Sequence, residues 1–147
     1  MTIVSAINAP SITKSLFLID KNIKRKALIK GWNEYSGTDD RTKIQLIAEN
    51  IDVEAFSDRG YFRCLVNIRE KLEKLNINIE CYGSCENVYP SPMIEAMGYG
   101  IKAYRLQMGQ RATNSNLVCI FDHEPRLKLA TVADQELFYK RWLGSIA

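Results

Sequence analysis

The chain has a single histidine, and no apolar run that could cross a bilayer; its longest apolar stretches, at residues 16–19 and 117–121, are far too short. Its first residues, Met1-Thr2-Ile3-Val4-Ser5, offer neither a basic n-region nor an apolar h-region, so no secretory signal is expected. It has no repeat and no low-complexity tract. Neither the compact Cys-x-x-Cys knuckle nor the Gly-x-Ser-x-Gly elbow is present. Four cysteines scattered through apolar segments read as reduced, buried thiols and not as a disulfide framework, which points to the cytoplasm. The net charge of +3 neither demands nor excludes a nucleic-acid partner.

The chain is ordinary in bulk. Its 147 residues suit one globular domain over 1–147, and 46% hydrophobic with 25% charged residues argue against disorder. Charge is polarised along it. Residues 14–30 hold Lys14, Lys21, Lys24, Arg25, Lys26 and Lys30 against Asp20 alone. Residues 34–58 hold Glu34, Asp39, Asp40, Glu49, Asp52, Glu54 and Asp58 against Arg41 and Lys43. Such blocks usually form solvated, mutually attracting faces.

Periodicity predicts the elements. Ser15-Leu16-Phe17-Leu18-Ile19 suits a buried strand. Ile23, Ala27, Leu28 and Trp32 fall at helical spacing, and Thr38-Asp39-Asp40 can cap a second helix through Ile44, Ile47 and Ile51. Phe62, Leu65, Ile68, Leu72 and Leu75 predict a stronger helix over 61–75, with Arg69–Glu73 and Glu70–Lys74 pairs on its wet side. Residues 77–82 alternate as a half-buried strand, and Ser91-Pro92 starts a short helix. Residues 102–108 and 117–121 read as an antiparallel hairpin whose second strand is central. Thr131 and Asp134 open a last helix that turns Leu137, Phe138 and Trp142 inward. The expected fold is α+β: N-terminal helices, then an antiparallel-leaning sheet of about three to four strands, then a closing C-terminal helix.

The candidate sites are few. Cys81, Cys85, Cys119 and His123 have zinc-like identities, but an intervening strand would put His123 roughly 13 Å beyond Cys119, so neither metal nor cofactor is expected. His123, between Asp122 and Glu124, is the one candidate general base. Met97-Gly98-Tyr99-Gly100 leads into a strand and not a helix, so it cradles no phosphate. The lysines of residues 21–30, with Trp32 nearby, lack an aromatic nucleic-acid pattern. What remains is the loop over 83–93, stiffened by Pro90 and Pro92, where Tyr89, with Tyr99 beyond it, is of the type interfaces favour.

Arg59-Gly60-Tyr61-Phe62, the loop from Gly83-Ser84-Cys85-Glu86 to Pro92-Met93, Met97-Gly98-Tyr99-Gly100-Ile101-Lys102-Ala103-Tyr104 and Val118-Cys119-Ile120-Phe121-Asp122 form a pattern. Over residues 58–122 the chain resembles the immunity proteins encoded beside contact-dependent and other polymorphic bacterial toxins. The resemblance implies a cytosolic, non-enzymatic binder that blocks a cognate toxin's active site or an exosite. Many such toxins are nucleases with basic clefts, which an acidic surface would meet at an enhanced rate. The partner-binding candidates are therefore Asp39, Asp40, Glu49, Asp52, Glu54, Asp58, Glu86, Tyr89 and Tyr99. The expected partner is the toxin, and not a membrane, a nucleic acid or a small-molecule substrate. Two other classes stay open. A small enzyme using His123 needs that residue in a cleft, and a basic nucleic-acid module needs the 21–30 cluster on one face.

Overall fold

Two-residue turns fold the first half of the chain into a meander. Lys21 and Asn22 sit at φ 52° and 68°, and Asn50 at φ 62°, the left-handed region asparagine tolerates. The computed structural model describes residues 9–36 and 39–147, with side chains except at 34–36, 39, 40, 97 and 98. Strands β1 (Ile12–Asp20), β2 (Ile23–Ser36), β3 (Asp39–Ala48) and β4 (Ile51–Ser57) pair antiparallel in succession. After helix α1 (Tyr61–Glu73), β5 (Ile77–Glu80) adds to β1, giving the order β4-β3-β2-β1-β5. A second antiparallel sheet has the order β6-β7-β8, from β6 (Val88–Tyr89), β7 (Lys102–Arg105) and β8 (Leu117–Cys119). Helix α2 (Pro92–Gly98) lies between β6 and β7, and α3 (Val132–Ser145) closes the fold.

The expected arrangement of N-terminal helices and one small sheet is thereby overturned. Both stretches read as helices are strands, and the described residues form two sheets, of five and three strands. Ile23, Ala27, Leu28 and Trp32 fit helical spacing by coincidence. The residues buried in β2 are Ala27, Ile29 and Gly31, at period two. Their cross-strand neighbours Leu16, Leu46 and Ile44 are buried too. In β3, Thr42, Ile44 and Leu46 repeat the alternation. Isoleucine and threonine suit such a half-buried pleated surface. The α+β character holds in the coarser sense that helices pack with sheets.

Elements set by local signals lie close to where the sequence puts them. In α1, Phe62, Leu65, Ile68 and Leu72 enter the core that includes Leu16, Leu18, Ile29 and Ile44. Ser91 Oγ accepts from the Ile94 amide to cap α2, and Thr131 Oγ1 accepts from the Asp134 amide to cap α3. Several faces differ. Leu75 and Leu137 are exposed, and β8 is an edge strand beside a central β7. Arg69, expected on the wet side, is 3% exposed. Gly31 has a packing reason inside β2: a Cβ there would stand 2.6 Å from the ring of Tyr61. Among the described residues no helix is long and apolar enough to cross a membrane.

Candidate functional site

Gly60 precedes α1 at φ 96° and ψ −174°, a conformation open essentially to glycine alone. That turn lets the amide of Tyr61 donate to the carbonyl of Tyr99, while Gly100 lies against Phe62. The two segments form a clasp. Beside it a groove of about 510 Å³ opens between the start of α1, α2 and α3, lined among others by Asp58, Arg59, Arg63, Tyr89, Tyr99 and Tyr139.

Its floor is held by charge and stacking. Arg63 makes a two-pronged contact with Glu95 at 3.1 and 3.3 Å and donates to the Tyr89 hydroxyl at 3.0 Å. Burial works against the charge on Arg63, but the bonds from Glu95 and Tyr89 outweigh it and raise its pKa. Tyr139 stacks on Tyr89 with centroids 4.1 Å apart and planes at 11°, and Trp142 extends the stack. Tyr99 at 44% exposure and Met93 at 67% stand outside this floor. The lining carries Arg59 and Arg63 against Asp58 and Glu95, so it is aromatic and near neutral in charge.

A polar hub lies behind the groove. Buried Arg69 donates to Gln135 Oε1 at 2.6 Å, Ala130 O at 2.8 Å and Gly83 O at 3.2 Å. Gln135 Nε2 reaches the carbonyls of Gly83, Cys85 and Val88, each at 2.9 Å. The carbonyls of the 83–88 loop thus converge on two side chains, one from α1 and one from α3. Glu73 Oε2 accepts from the Val132 amide, placing a carboxylate at the start of α3. The loop also docks on the 118–122 segment, since Tyr82 N donates to Asp122 O and Gly83 N to Ile120 O, both at 2.9 Å. Most of it is therefore buried framework.

The candidate binding residues divide among several places. Asp58, Tyr89 and Tyr99 meet at the groove. Glu86 instead pairs with Lys128 at 3.0 Å, and Glu49 lies in the β3–β4 turn, where its carbonyl accepts from Arg25. Asp52 and Glu54 stand on β4 beside Gln45 and Lys43. Asp39 and Asp40 begin β3, and their side chains lie outside the described residues. The acidic block therefore does not gather into one patch among the described side chains. Sequence reading missed Arg59, Arg63 and Tyr139 at the groove. Tyr139 was within reach, being three residues before Trp142 and so on the same helical face. Arg69 could also have been found, because it is four residues after Leu65 and three before Leu72, on the apolar stripe itself.

The remaining chemical candidates stay apart. His123 is exposed and meets Phe17 edge-on at 5.6 Å, with no hydrogen bond to a carboxylate among the described residues. Cys81 and Cys85 are buried, whereas Cys119 is partly exposed on β8. Among the described residues no three His, Cys, Asp or Glu side chains are placed to hold a metal. Burial pushes the Cys64 and Cys85 thiols up to about 12 and raises Cys81 as well. At pH 8 in native buffer, a thiol reagent is expected to label Cys119 and to reach the other three only in urea.

Alkaline pH should weaken the fold for the same reason. Above the ordinary thiol pKa the unfolded chain releases protons that the folded chain keeps, so this stability is complete below about pH 8.5 and falls as pH rises toward 12. For Cys64 and Cys85 together the loss between pH 8 and 9.5 is about 2 kcal/mol, measurable as a lower urea midpoint. An unchanged midpoint would show that neither thiol is held protonated. No family model matches the chain, and no curated protein matches it significantly.

Proposed function

We propose that this chain is a cytoplasmic, non-enzymatic binding protein of the immunity class, which neutralises a cognate bacterial toxin by one-to-one association through the groove beside α1. The observation that carries the reading is a floor of Tyr89, Tyr139 and Arg63 fixed by stacking and bidentate bonds, with an exposed Tyr99 in the same lining. Tyrosine and arginine are enriched at interfaces, and side chains fixed beforehand lose little entropy on binding. Four free cysteines support a reducing compartment. The near-neutral lining favours recognition of an exosite over an acidic plug in a basic nuclease cleft.

The test mixes the purified chain with the toxin encoded beside its gene, using titration calorimetry and a toxicity rescue assay. A one-to-one complex and protection are expected. Tyr99→Ala and Arg59→Ala should each weaken the complex by at least about tenfold, as central interface residues do. Absence of both complex and protection would sink the proposal.

A further inference from the structure

Behind the aromatic wall of the groove lies a second cavity, of about 270 Å³, built from three stretches of the chain. Tyr89 on β6 and Tyr104 on β7 are direct cross-strand partners and so share a face, which Leu106 extends two residues on. Helix α3 brings Tyr139 and Trp142 to it, with Ile146 just past the helix end, at the spacing of one helical stripe. The loop over 107–113 supplies the remaining side with Arg111 and Ala112. That loop is tied down. Trp142 Nε1 donates to Gln110 O at 2.9 Å, and Gly109 N donates to Ser145 Oγ at 2.8 Å. The cavity is therefore preformed, and Trp142 offers it apolar ring surface because its N–H is already engaged.

The lining carries one charge. Arg111 is exposed, and among the described residues no carboxylate lines the cavity. Neither its guanidinium nor the hydroxyl of half-buried Tyr104 has a hydrogen-bond or ion-pair partner among the described residues. Ser91, also in the lining, is already engaged as the cap of α2.

We propose that this cavity binds a small aromatic carboxylate, its ring among the tyrosines and Trp142 and its carboxylate on Arg111. A planar carboxylate meets the guanidinium fork with two bonds, and rings pack favourably against rings. A cationic ligand would bring like charge to Arg111, and a neutral one would leave the fork unused. The volume lies just under the range of drug-sized sites, so it suits a ligand of about a dozen non-hydrogen atoms. The proposal does not rest on the toxin reading: of this lining only Tyr89 and Tyr139 also line the groove.

Proton–nitrogen NMR spectra of the labelled chain test it, with hydrocinnamate and its neutral amide titrated separately. The acid should shift the Trp142 indole N–H and the Ala112 amide along a saturable curve, with a Kd on the order of 1 mM for so small a ligand. The amide should bind at least about tenfold more weakly, for want of a charge-assisted pair. Arg111→Gln should weaken the acid about tenfold and leave the amide unchanged, so that the two become alike. Ala112→Phe, which fills the cavity from the loop, should abolish both, and Ala112→Leu takes its place if the larger ring unfolds the chain. Trp32→Phe identifies the Trp142 signal, and circular dichroism melts verify that each variant folds. Four results overturn the proposal: no saturable shift at about twenty times that concentration, equal binding of acid and amide, acid binding untouched by Arg111→Gln, or shifts confined to Arg59 and Arg63, which would give the ligand to the groove. An N-acetylated peptide ending in phenylalanine that binds about tenfold more tightly than the free acid would overturn it too, by giving the cavity to a chain terminus.

Discussion

Arg69→Ala is expected to remove about 4 kcal/mol of folding free energy, a large share of what an ordinary domain possesses. The guanidinium is buried and donates to Gln135, Ala130 and Gly83, with no carboxylate bonded to it among the described residues. Burial lowers its pKa, and the nearby Cys81, Glu73, Cys85 and Glu70 only partly oppose this, yet a guanidinium stays charged at any ordinary pH. Truncation leaves Ala130 O and Gln135 Oε1 without their donor, and each buried unsatisfied group costs about 1–3 kcal/mol. A cavity of most of an arginine side chain adds to the loss.

Gln135→Ala strips one donor from three carbonyls and should cost nearly as much. The two losses should not add, because Gly83 and the Arg69–Gln135 bond are common to both. Urea titrations of the two single variants and the double variant measure this. A drop below about 1 kcal/mol in Arg69→Ala would mean that water replaces the guanidinium and that the hub is dispensable.

Gly60→Ala should cost a similar amount, about 4 kcal/mol, by a different mechanism. A Cβ at Gly60 would overlap the carbonyl of Tyr99, the acceptor for the first amide of α1, in a backbone conformation that a side chain resists. Gly109 supplies the control. It too has positive φ, 77°, but nothing lies within 4 Å of the added atom, so Gly109→Ala should cost only about 1 kcal/mol. The difference between the two isolates the close approach of the clasp. Equal urea midpoints would mean that the Tyr99 segment yields at no cost. The clasp and the groove are linked, since displacing the Tyr99 carbonyl also moves its ring.

Both variants act on the framework that aims the groove. Arg69 and Gln135 fix the loop carrying Tyr89 between α1 and α3, and Gly60 fixes the segment carrying Tyr99 against α1. A groove assembled from three distant stretches needs such ties, because each stretch alone would lose too much entropy on ordering.

The sequence by itself determined what depends on a few neighbouring residues. The apolar stripe of α1, the Ser91-Pro92 start of α2, the Thr131–Asp134 cap of α3 and the 102–119 hairpin are written within a turn or a strand of themselves. It also marked Tyr89, Tyr99 and Asp58, which meet at the groove. Tertiary structure decided the rest. Residues 23–51 fit two periods over a short window. What selected the strand was cross-strand partners from Leu16 to Val53, too far along the chain for local spacing to register. Arg69 was legible as part of the helix and of its apolar stripe, but its acceptors were not, because they come from residues 83, 130 and 135. The same selection of strand over helix brought Lys24, Lys26 and Lys30 onto one sheet face. Composition counted those charges, but only the pairing of β1 to β4 put rings beside them.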